Sequence, residues 1–104
     1  MLVHNCTFMM LRAKEPLFLK WFAHYCIPLL ESGVNPRLSS MRESGGQSYT
    51  LAEAQSIAFQ LEFPDMESVR AYEQGPLRDL LARFDRSFGP EAMTFTSIFE
   101  LLPL

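Results

Sequence analysis

Two long amphipathic patterns, each set between β-type runs, constrain this chain most. The order reads strand, helix, strand, strand, helix, strand. Two β-α-β units of this kind close into an antiparallel sheet with both helices on one face, the ferredoxin-like α+β sandwich. Right-handed crossovers set the expected strand order as 4-1-3-2. Residues 1–104 read as one domain, and 48% of them are hydrophobic, enough for one core.

Leu2 to Leu11 reads as the first strand, with Leu2, His4, Cys6, Phe8 and Met10 on one face. Val3, Asn5, Thr7, Met9 and Leu11 share the other. Lys14-Glu15-Pro16 starts a helix, since proline is tolerated where the N–H lacks an intrahelical acceptor. Leu17, Phe18, Trp21, Phe22, Tyr25 and Leu29 form its apolar stripe. Pro28 predicts a kink, and Gly33 a left-handed stop. A second stripe, Leu19, Ala23, Cys26 and Leu30, predicts a second neighbour for this helix.

Pro36 to Arg42 reads as a short edge strand, and Ser44 to Ser48 as a turn-rich loop. Tyr49 to Ala54 fits either a continued hairpin or a helical turn. Gln55 to Phe63 is the cleanest strand, with Ile57, Phe59, Leu61 and Phe63 alternating with polar or small residues. Asp65 is the expected N-cap of the second helix, Gly75-Pro76 interrupts it and Gly89-Pro90 ends it. Met93 to Leu102 is the last strand, with Met93, Phe95, Phe99 and Leu101 expected to face the core.

These residues resemble a bacterial family of unknown function, domain-of-unknown-function family 4286. The resemblance covers most of the chain. It rests on Asn5-Cys6-Thr7, Trp21, Ile27-Pro28 followed by Ser32-Gly33, Phe59-Gln60, Tyr72, Leu77-Arg78, and Phe95 with Ser97. Members commonly carry His before the Ile-Pro pair, where this chain has Cys26, so a role for that histidine does not transfer. The resemblance implies a ferredoxin-like fold and brings no activity, because none is established for the family.

The chemistry-bearing residues form no complete motif. His4 and Cys6 lie two apart on one strand, and His24 and Cys26 two apart on a helix, where they point about 200° apart. A tetrahedral zinc site needs about four convergent ligands, so no metal is expected. Glu62, Asp65 and Glu67 cluster where acid–base work is conceivable, but capping a helix explains them more simply. Arg70, Arg78, Arg83 and Arg86 alternate with acidic residues, the pattern of a solvated face. Gly45-Gly46 is too short to cradle a phosphate, and no cofactor is expected.

The formal net charge of −3 and the lack of a basic block argue against a nucleic-acid partner. No apolar run approaches the roughly 18 residues of a membrane span, and no signal peptide is recognisable. Two cysteines are too few for a secreted disulfide scaffold, so reduced thiols and a cytoplasmic location are expected.

The open sheet face carries the most functional content. Asn5, Thr7, Met9, Ala58, Gln60, Thr94, Thr96 and Ile98 are expected on it. Such a mixed surface suits a homodimer contact or a ligand pocket, and it lacks evident aromatics for stacking on RNA bases. The first reading is a non-catalytic, self-associating or partner-binding module. The alternative is a dimeric α/β-barrel enzyme, a cofactor-independent monooxygenase or isomerase, with His4 or a carboxylate as base. A small-ligand sensor is a third.

Overall fold

The computed structural model describes residues 1–42 and 54–104. The expected loop Ser44–Ser48 and most of the ambiguous stretch from Tyr49 lie outside them. In chain order the elements are β1 (Leu2–Leu11), α1 (Glu15–Tyr25), α2 (Ile27–Leu30), β2 (Val34–Ser40), β3 (Ala54–Phe63), α3 (Met66–Gln74), α4 (Pro76–Phe88) and β4 (Met93–Glu100). The strands form one antiparallel sheet in the order β2-β3-β1-β4. This is the ferredoxin-like α+β fold, with the expected strand order.

The core lies between the helices and one face of β1 and β3. Strand alternation places Cys6, Phe8 and Met10 opposite Phe59, Ile57 and Gln55 on that face, and all six are buried. Phe8 is at the centre. Its ring lies 5.0 Å from Phe18, 5.1 Å from Phe84 and 5.8 Å from Phe22, so one strand residue ties α1 to α4. Each aromatic pair adds about 0.5–1.5 kcal/mol beyond its buried area. Trp21 and Tyr25 flank this cluster half-buried. Leu17 is 54% exposed, because the stripe is centred on Phe18, Phe22 and Leu29 and Leu17 falls off its edge.

The first helix breaks at Cys26, two residues before Pro28. The proline ring crowds the preceding turn and cannot donate to the carbonyl of His24. The Cys26 carbonyl instead accepts from Leu29 and Leu30 at 3.0 Å, which starts α2.

Gly33 does not take the left-handed conformation expected of it. Asn35 has a positive φ instead, at 53°, and among the described glycines only Gly89, after α4, has one, at 72° with an extended ψ of −166°. Gly33 is required for a different reason, since a Cβ there would lie 2.8 Å from the Glu62 carbonyl oxygen. The register of β2 on β3 shifts between Val34 and Arg37, and Pro36 sits in this irregularity on an edge strand. Asp65 caps α3, its Oδ1 accepting from the Ser68 N–H and hydroxyl, both at 2.8 Å. These bonds favour the carboxylate and hold the Asp65 pKa below its ordinary value. Gly75 separates α3 from α4, as its pairing with Pro76 predicts.

Candidate functional site: the uncovered sheet face

Cross-strand partners in an antiparallel sheet point to the same face, so the register assigns every side chain. Val3, Asn5, Thr7 and Met9 of β1 face away from the helices. Their partners on β3 are Glu62, Gln60, Ala58 and Ser56. Their partners on β4 are Phe99, Ser97, Phe95 and Met93. Asn5, Thr7, Met9, Ala58 and Gln60 therefore lie on the open face, where the sequence puts them.

Thr94, Thr96 and Ile98 do not. They pair with Phe8, Cys6 and His4 and face the helix side. The expected core set of β4 is correspondingly inverted: Met93, Phe95 and Phe99 stand on the open face at 52%, 49% and 53% exposure. As an edge strand, β4 lies beyond the core elements, so Thr94 and Thr96 need fill little space. The large apolar residues face the other way. The expectation that this face lacks aromatics is corrected with it.

At the centre of the face is a short polar chain. The Gln60 amide Nε2 donates to Asn5 Oδ1 at 3.3 Å, and Asn5 Nδ2 donates to Thr7 Oγ1 at 3.0 Å. Asn5 thus links β1 to β3 through side chains, with Ser97 across on β4. Among the paired positions of this face only Glu62 and Arg37 are ionisable. The surface combines aromatic and thioether side chains with neutral hydrogen-bonding groups.

The other candidate residues lie elsewhere. His4 is fully buried under the helices, its Nε2 3.0 Å from Glu73 Oε2 and its ring edge-on to Tyr72 at 5.1 Å. His4 Nδ1 and the Tyr72 hydroxyl are buried without a hydrogen-bond partner among the described residues. Burial pushes the Cys6 thiol up to about 12 and raises Tyr72 as well, so both stay neutral. Cys6 and Cys26 are free thiols, the second half-buried. Among the described residues no three His, Cys, Asp or Glu side chains converge as metal ligands would. Glu62 is on the open face while Asp65 is committed to capping α3, so the acidic cluster is divided between two tasks.

Arg83 lies over the Tyr25 ring at 4.6 Å, beside a cleft of about 530 Å³ between α1–α2 and α4. The second stripe of the first helix, Leu19, Ala23, Cys26 and Leu30, lines a groove of about 280 Å³ against Pro36 and Leu38 of β2. Its expected neighbour is therefore this edge strand, across an open groove. No helix among the described residues is long and apolar enough to cross a membrane.

No family model matches the chain. No curated protein matches it either. Among solved structures it is similar to a crystal structure of an MhuD point mutant with two manganese protoporphyrin IX bound per active site. The TM-score is 0.57 at 19% identity, covering 97% of this chain and 95% of that one. At this identity the likeness shows the fold alone.

Proposed function

We propose that this chain is a small, non-catalytic, self-associating module in which two copies pack through their open sheet faces. It acts in the cytoplasm as a homodimer and belongs to domain-of-unknown-function family 4286. One observation carries the reading: Phe95, Phe99 and Met93 are about half exposed on a face whose paired positions, among the described residues, bear only two ionisable side chains. Interface cores are depleted of charge and enriched in aromatic residues and Met. Four strands at ~4.8 Å spacing and ~3.4 Å per residue give a footprint of roughly 500 Å² per copy. Doubled, that is roughly 1,000 Å², the lower bound for a specific interface.

The alternative, a dimeric α/β-barrel enzyme of the monooxygenase or isomerase type, is favoured by the polar chain on the same face. Of its expected bases, His4 is on the opposite face and engaged with Glu73, which leaves Glu62 as the carboxylate among the paired positions of the open face. Light scattering across micromolar concentrations tests the first reading. Twice the 11.9 kDa chain mass is expected, and the single-chain mass throughout would overturn it.

A further inference from the structure

We infer that the dimer encloses a shared binding site for a small, neutral, planar molecule carrying both a carbonyl and an N–H, such as a carboxamide, lactam or imide. This rests on the open-face dimer proposed above. The first argument is steric. Asn5, Thr7, Ala58 and Ser97 are short and sit between larger residues, Phe95 and Phe99 on β4 and Met9 and Met93 at one end. Packed sheets lie ~10 Å apart, a distance set by the bulky side chains. Two such faces in contact leave a gap over the short residues, walled by phenylalanine rings.

The second argument is the direction of the polar chain. Gln60 donates to Asn5, and Asn5 donates to Thr7. The Thr7 oxygen accepts, which leaves its O–H to donate outward. At the other end the Gln60 side-chain carbonyl has no partner among the described residues and accepts. One free donor and one free acceptor thus lie at the two ends of a fixed chain. Enclosed between two sheets and left unmet, each costs about 1–3 kcal/mol. A carbonyl on the ligand satisfies Thr7 and an N–H satisfies Gln60, while a flat body meets the Phe95 and Phe99 rings. The two charges on the face, Arg37 opposite Gln60 and Glu62 two residues further along β3, are of opposite sign, so the face has no net charge to favour an ionic ligand. Neither copy encloses the molecule alone.

The test uses 2-naphthamide as probe, with naphthalene as the control lacking the amide. Oligomeric state is followed by sedimentation and the Asn5 and Gln60 side-chain amides by NMR. The probe is expected to shift both amides, to tighten dimerisation because it binds only the dimer, and to bind about tenfold better than naphthalene. Thr7→Val, which removes both the outward donor and the acceptor of Asn5 Nδ2, is expected to bind the probe about tenfold more weakly, read at protein concentrations where sedimentation shows the variant dimeric. A dimer whose amides ignore millimolar 2-naphthamide overturns the shared site and leaves the interface standing. So does a Thr7→Val dimer that binds the probe as well as the parent. A chain that is monomeric with and without probe overturns both.

Discussion

The two faces of this sheet are built on opposite rules. On the helix side, Cys6, Phe8, Ile57, Phe59 and Leu61 are buried at 2% exposure or less, and every large ring has aromatic neighbours. On the other side, rings of the same kind, Phe95 and Phe99, stand about half exposed around a neutral polar chain. Equal hydrophobicity therefore marks two different things: a partner within the chain on one side and, on the function proposed above, one outside it on the other.

The comparison is broken most severely at Phe8. Phe8→Ala removes the ring that joins α1 to α4, and it should cost about 3–5 kcal/mol in urea denaturation. Phe95→Ala and Phe99→Ala should leave the subunit's own stability within about 0.5 kcal/mol. Each should instead weaken dimerisation by about 2 kcal/mol, near thirtyfold in Kd by sedimentation. If Phe95→Ala unfolds the subunit as Phe8→Ala does, the two faces do not differ in the way argued.

Glu73→Ala sharpens the contrast within the covered face. It strips the partner from the fully buried His4 and should cost about 1–3 kcal/mol, with dimerisation unchanged.

The effect of pH on the covered face is spread over several units. The Cys6 thiol, pushed up to about 12 by burial, stays protonated in the fold at a pH where the unfolded chain has ionised. Between the ordinary thiol value and 12 the unfolded state binds fewer protons, so stability falls as pH rises, by about 1 kcal/mol per pH unit. Cys6→Ala should flatten that slope below the ordinary tyrosine value, above which Tyr72, raised by its own burial, keeps part of it. In a thiol-reagent assay at pH 8, half-buried Cys26 should react and Cys6 should wait for unfolding.

Much of the fold is legible because local and global preferences agree. The alternation of Leu2–Leu11 and Gln55–Phe63 sets which face of each central strand is covered, and Asp65 and the Gly75-Pro76 pair mark helix ends by their own chemistry. β4 is misread for a physical reason. Both of its faces carry apolar residues, and assigning the bulkier one to the core assumes that every large side chain is buried within its own chain. The edge position of β4 removes that requirement. Gly33 is misread similarly, because its small size serves a close approach to the backbone at Glu62, which local sequence does not reveal. Of the candidate site, Asn5, Thr7 and Gln60 are legible from strand parity. Phe95 and Phe99 emerge only from the register of β4 on β1.

The central claim, that a second copy covers the open face, is tested most directly by isotope-filtered NMR on a mixture of labelled and unlabelled chains. Intermolecular NOEs are predicted between the Phe95 and Phe99 rings of one copy and the methyl groups of Thr7, Met9 or Ala58 of its partner. A dimer whose only intermolecular NOEs come from the helices, or a sample with none at millimolar concentration, would contradict it.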